Sequence, residues 1–234
     1  CPFMLNHNTI SKPLPSFGER QHFMSIGSFR HAPNWDAVLW LKQDIWALIR
    51  QQLPQAELHI YGSYTPPKAT ALHAPKQGFY IEGRAASALD VSQHARLCLA
   101  PLRFGAGIKT KLADAMQTGT PSITTSVGAE GMHGDLPWGG KVCDDAQAFA
   151  QAAVNLYHDD VAWQQAQQHG FDILQHWFNA KNHQKQLIQA TLSIQNNLEE
   201  HRLHNFTGSM LRHHHHRSTE FMSRWIEQKN TITD

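Results

Sequence analysis

The chain has 234 residues, of which 41% are apolar and 17% charged, with a formal net charge of +1 when histidine is neutral. That is enough for one globular domain with an extension, or for two small ones, and the charge balance gives no reason to propose nucleic acid or an anionic membrane as the main partner. Three cysteines, Cys1, Cys98 and Cys143, at no metal-like spacing, exclude a disulfide scaffold and point to a reducing, cytoplasmic compartment, and no apolar run reaches the length of a spanning helix.

Residues 1–21 contain Pro2, Pro13, Pro15 and Gly18 with little periodicity and read as a linker, or as the exit from a preceding domain. Residues 22–26 form a first strand, ended by Gly27. A helix is expected over 34–52, with Asn34 as N-cap, Asp36 in the first turn and Val38, Leu41, Ile45, Leu48 and Ile49 along one stripe. Further strands are expected at 57–61, stopped by Gly62, and at 77–81, stopped by Gly83, with a short helix within 66–73 and another over 85–94.

The apolar run 97–100 then feeds Arg103-Phe104-Gly105-Ala106-Gly107, a glycine loop that opens a helix with Ile108, Leu112, Ala115 and Met116 on one face. Gly119 and Pro121 end that helix, and residues 121–125 make the next strand, so the unit is a right-handed parallel crossover. A long glycine-rich loop over 127–140, a strand over 141–143 and helices over 145–157 and 159–178 complete the pattern. Helix and strand alternate and every strand is too apolar to face water, which defines an α/β domain over 22–178. Its core is a doubly wound parallel sheet of about six strands covered on both faces. Residues 179–234 are a helical extension with a histidine-rich segment, His213 to His216, whose four consecutive imidazoles cannot all turn to one metal on a helix. Its narrow stripe of Leu187, Thr191, Ile194 and Leu198 requires a partner.

The charge at the start of the helix after the glycine loop is unusual. A first turn favours acidic residues, because its free N–H groups make that end partially positive, yet Lys109 and Lys111 stand there. Two glycines, exposed N–H groups and a lysine suit a phosphate; the plain alternative is a tight turn with solvated lysines. In a doubly wound sheet, ligands bind beyond the carboxyl ends of the strands, so the loops after Ile26, Ile81, Leu99 and Thr124 should converge on one crevice.

Two blocks carry a family resemblance. PLRFGAGIKTKLADAMQTGTPSITT, followed by Gly128-Ala129-Glu130-Gly131-Met132, and the earlier block from Ser25 through Gly27, Ser28 and Arg30 to Pro33-Asn34-Trp35-Asp36-Ala37-Val38, resemble the nucleotide-sugar-binding half of the group 1 retaining glycosyltransferases. The resemblance implies the C-terminal, Rossmann-like half of a GT-B fold and a nucleotide-diphosphate sugar as donor substrate, with no cofactor and no metal. It also implies an unknown acceptor, bound by an N-terminal domain absent from a chain that begins at Cys1, so the chain reads as a fragment inactive alone. Peripheral membrane association is expected only through the full-length enzyme.

By the same resemblance Lys109 and the N–H groups near Gly105 and Gly107 take the diphosphate, and Arg30 supplies a second cation; these two are the expected catalytic groups. Gly27, Gly83, Arg84, Gly128 and Glu130 line the donor site. The family's pair of glutamates, with seven residues between them, falls on Ala106 and Asp114: the first carboxylate is missing and the second is one methylene shorter, so Asp114 is either a ribose ligand or an ordinary helix aspartate. A same-fold nucleotide-sugar epimerase and a non-catalytic nucleotide-binding module are the alternatives.

Overall fold

The computed structural model describes residues 4–5, 13–212 and 217–231; Cys1 and the run His213 to His216 lie outside the described residues. The chain divides into two compact units, Cys1–Lys181 and Asn182–Asp234. The first is built on six strands, β1 (Gln21–Ile26), β2 (Leu58–Tyr61), β3 (Phe79–Gly83), β4 (Ala95–Ala100), β5 (Ser122–Thr124) and β6 (Gly140–Val142), in the order β3-β2-β1-β4-β5-β6. Every pairing is parallel, with Phe23 opposite Leu58 on one side and Leu97 on the other. The order reverses between β1 and β4, which places the switch point there.

The helices are α1 (Ala32–Trp40) and α2 (Trp46–Gln52), continuous through a π-helical turn at Leu41–Ile45, then α3 (Pro67–Thr70), α4 (Ala88–His94), α5 (Thr110–Gln117), α6 (Ser126–Ala129), α7 (Ala146–His158) and α8 (Asp160–Trp177). Alternation along the strands divides the core. Phe23, Leu58, Leu97, Leu99 and Ile123 face α1, α2 and α7 with Val38, Ile45, Ile49 and Phe149, whereas Met24 and Cys98 face α5 with Ala115. Strands apolar on both faces are what an interior parallel sheet requires.

Several elements depart from the sequence expectation for local reasons. The first helix begins at Ala32 with Pro33 in its first turn and His31 as N-cap, so Asn34 lies inside it; proline's fixed φ suits that position and lets the helix start early. The third strand starts at Phe79, because Pro75–Gln77 is a 3-10 turn closed by Gly78 at φ 63°. The loop expected after β5 opens with α6, whose first turn is capped by Thr125 accepting from the Gly128 N–H at 3.1 Å.

Residues 15–20 are docked at the amino ends of the strands. Ser16 donates both its N–H and its hydroxyl to Glu19, at 2.8 and 2.6 Å. The fully buried Arg20 donates to Thr120 Oγ1 and to the Thr118 carbonyl, each at 2.6 Å, and Arg96 donates to the carbonyls of Arg20 and Phe17. Neither guanidinium has a carboxylate partner among the described residues.

The second unit is helical. It contains most of α9 (Ala180–Asn196), then α10 (Leu198–His204), α11 (Phe206–Arg212) and α12 (Arg217–Thr231). The stretch over 180–204, whose stripe of Leu187, Thr191, Ile194 and Leu198 reads in the sequence as one helix, forms two, broken at Asn197. Leu187, Ile194 and Leu198 of its stripe are exposed, as are Phe206, Phe221 and Trp225. Among the described residues no helix is long and apolar enough to cross a membrane.

Candidate functional site

The carboxyl ends of β1 and β4 open into a crevice whose two walls are each held by close backbone approach. On one wall the Gly27 N–H donates to the Tyr61 carbonyl at 3.0 Å and the Gly62 N–H to the Gly83 carbonyl at 2.7 Å, linking the ends of β1, β2 and β3. On the other wall Thr124 Oγ1 donates to the Ala100 carbonyl at 2.8 Å and Thr125 Oγ1 to that of Leu102, linking the ends of β4 and β5. Gly128 packs so tightly on Thr124 that an added Cβ would stand 1.9 Å from its Oγ1.

Two side-chain links bridge the walls. Arg103, at the start of the glycine loop, makes a bidentate ion pair with Asp36 of α1, at 2.9 Å from Nε and 2.5 Å from Nη2. Lys111 Nζ, from the first turn of α5, donates to Asn34 Oδ1 at 2.6 Å, and Asn34 Nδ2 donates to the Ser28 carbonyl at 3.0 Å. Gly105 lies over Pro33, and Gly105 and Gly107 take φ values of 140° and 74° that favour glycine.

Lys109 is the N-cap of α5, and no side chain caps that helix. Its side chain is 8% exposed, yet Nζ has no hydrogen-bond partner among the described residues. A buried ammonium without a partner is costly, and here it stands beside the uncapped N–H groups of a helix start, the combination that receives an anion. Lys111, largely buried, has its pKa pushed down to about 8 by desolvation. Burial also raises the Asp114 carboxyl, and takes the Cys98 thiol of β4 up to about 12, so the latter stays neutral.

The structure thus brings Gly27, Gly105, Gly107 and Lys109 to one crevice, with Gly83 and Gly128 at the ends of its walls. Arg30 is exposed and stacks on Tyr64, its guanidinium carbon 3.6 Å from the ring centroid. Tyr64 holds that place with a left-handed backbone, φ 57°. Arg84 and Glu130 are exposed at the two flanks, and Asp114 lies one turn into α5, half-buried, with no ion pair among the described residues. Sequence reasoning missed the Arg103–Asp36 pair, the Lys111–Asn34–Ser28 chain and the Tyr64 platform. Only Asn34 and Asp36, standing beside Pro33, give a local signal, and it is one that a helix cap explains equally well. Two cavities of about 370 and 360 Å³ flank the edge strand β6 and share no residue with the crevice. Among the described residues no three His, Cys, Asp or Glu side chains are grouped to hold a metal ion.

A doubly wound sheet with a lysine-bearing, glycine-lined crevice at its switch point is the open α/β architecture in which ligands bind beyond the carboxyl ends of the strands. The chain belongs to the glycosyl transferases group 1, whose family profile matches residues 20–159, more than half of its length. Among solved structures it is similar to a point mutant of S. aureus TarM in complex with fondaparinux, alpha-GlcNAc-glycerol and UDP, with a TM-score of 0.65 and 11% identity over 80% of this chain and 38% of that one. The pneumococcal O-GlcNAc transferase GtfA in complex with UDP and GlcNAc matches with a TM-score of 0.59 and 15% identity, over 77% and 38%. The C-terminal domain of LpcC, a glycosyl transferase group 1 family protein of Francisella tularensis, matches with a TM-score of 0.50 and 16% identity, over 67% and 85%. At these identities the likeness is one of fold, and it establishes the C-terminal, Rossmann-like half of GT-B as the architecture. The chain spans well under half the length of TarM and GtfA. No curated protein matches it in sequence.

Proposed function

We propose that this domain binds the nucleotide-diphosphate sugar of a retaining glycosyltransferase in the crevice between β1 and β4. The observation that carries the reading is Lys109, an N-cap lysine buried to 8% exposure whose Nζ meets no protein partner among the described residues. A diphosphate would complete it.

The difficult step in glycosyl transfer from such a donor is departure of the diphosphate, and charge growing on the leaving oxygens is best met by preorganised donors. In this reading Lys109 and the N–H groups at the start of α5 meet it. Arg30 supplies a second cation from the loop after β1 once it leaves the Tyr64 ring. No metal is required for this electrostatic role, and the transfer is proposed to proceed without one, in the cytoplasm. The acceptor is assigned to the remainder of a full-length protein, and this chain alone binds donor without transferring it. Complexes of TarM and GtfA that contain UDP support a uridine nucleotide as the first to try.

Thermal-shift and calorimetric titration with uridine, guanosine and adenosine diphosphate sugars test the proposal. Stabilisation by at least one of them is expected, and Lys109→Ala should weaken UDP about 10- to 100-fold, the scale of one charge-assisted hydrogen bond. Its affinity for uridine should not change. A folded protein stabilised by none of the donors, or equal UDP affinity in both proteins, would sink the assignment.

A further inference from the structure

The two lysines that open α5 have different fates. Among the described residues Lys109 Nζ has no hydrogen-bond partner, whereas Lys111 Nζ is engaged by Asn34, which in turn holds the Ser28 carbonyl. Gly27 makes room for this arrangement, because a Cβ there would stand 2.6 to 2.8 Å from the Asn34 side chain. The chain of contacts runs from the first turn of α5, over the carboxyl ends of β4 and β1, to the loop that carries Arg30.

The charged groups around Lys111 leave it uncompensated. Cys98, facing it from β4, is a neutral thiol. Asp114, three residues along α5, makes no ion pair with it, and Asp36 of α1 is taken by Arg103. Lys109 adds a like charge from the same helix end. Among the described residues the hydrogen-bond partner of Lys111 Nζ is an amide oxygen, which orients an ammonium without neutralising it.

We propose that Lys111 is a positioning residue of the donor site: acting through Asn34 it fixes the loop after β1 against the glycine loop, and it holds in the crevice a positive charge that a bound diphosphate completes. This rests on the donor reading above. Desolvation makes the proton of Lys111 easy to lose in the free protein, near pH 8. A dianion bound in the crevice restores its hold on that proton, so binding near pH 8 takes up about half a proton per site, as linkage requires.

Calorimetry of UDP binding to the whole chain at pH 8, in two buffers of different ionisation enthalpy, reads that uptake directly. About 0.5 proton is expected for the native chain and for Lys109→Ala, whose affinity is weaker, and none for Lys111→Met. Lys111→Arg should recover most of the affinity lost in Lys111→Met while showing no uptake, because guanidinium does not titrate in this range. Hydrogen exchange supplies a readout independent of the ligand: Lys111→Met should speed amide exchange in residues 28–31 while β1 and β4 stay protected. Unchanged loop exchange, or proton uptake that survives Lys111→Met, overturns the positioning role and leaves the donor reading standing. Failure of the native chain to bind UDP or any other nucleoside diphosphate overturns both.

Discussion

Replacing Lys111 by methionine should stabilise the fold at neutral pH. The side chain is desolvated to the point that its pKa falls from an ordinary 10.5 to about 8, and a descent of that size corresponds to about 3 kcal/mol of unfavourable free energy in the charged state. Methionine keeps the length and removes the charge. It also removes the hydrogen bond to Asn34, a loss of about 1 kcal/mol, so a net gain of about 1–2 kcal/mol is expected at pH 7. The pH dependence carries the sign. A base whose folded pKa is depressed leaves the unfolded chain holding more protons between pH 8 and 10.5, so the native protein gains stability over that window. The variant lacks that gain. Its advantage at pH 7 should therefore shrink through pH 8–10 and reverse by about 1 kcal/mol near pH 10.5, where only the missing hydrogen bond remains. Tyr61 and Lys42, both shifted by burial, titrate equally in the two proteins and cancel in the difference. Urea unfolding at pH 7 and pH 10, with equal slopes, measures the effect. A variant less stable than the native chain at pH 7, or a difference that does not change with pH, would refute the argument.

Gly27→Ala tests the same link from its other end: the new Cβ, 2.6 to 2.8 Å from Asn34, should displace that side chain from Ser28 and lower UDP affinity about tenfold, on the scale of one charge-assisted contact, measured by calorimetry. Arg20→Met acts at the opposite end of the sheet. It leaves Thr118 and Thr120 without their donor in a buried setting, so urea unfolding should show a loss of about 2–4 kcal/mol, while UDP affinity stays unchanged.

The crossover β4–α5–β5 was legible because its punctuation is local. Gly105, Gly107, Gly119 and Pro121 mark its loop and its helix stop, and the short apolar strands leave little freedom of register. The glycine loop and the end of β1 do meet at the switch point of the sheet, as the alternation of strands and helices implied. The engagement of Lys111 was not legible, since it depends on Asn34, 77 positions away in sequence. Nothing near Asp36 announces Arg103 either, at a separation of 67. The docking of residues 15–20 did have a readable sign, for Ser16-Phe17-Gly18-Glu19 has the spacing of a capping box in a stretch that otherwise reads as linker. The arginines that complete that docking, Arg20 and Arg96, reach carbonyls and hydroxyls rather than acids, so charge patterning could not reveal them.

The two bridges over the crevice differ in what they can do. Arg103–Asp36 is half exposed on its arginine side, and such a pair contributes about 0–1 kcal/mol, screened further by salt. Lys111–Asn34 is sheltered, so its geometry persists in salt, and its cost falls on the same group that a dianion would relieve. Beneath both, the β1–β4 ladder keeps the strands in register, with Phe23 opposite Leu97 and Met24 opposite Cys98; only the loops above need side chains to set them. On the proposal above, the site is destabilised by two largely buried cations with no carboxylate partner among the described residues, Lys109 and Lys111, and regains that free energy when the diphosphate enters. Neutralising either lysine therefore separates stability from binding, raising one while lowering the other, which a purely structural pair of lysines could not do.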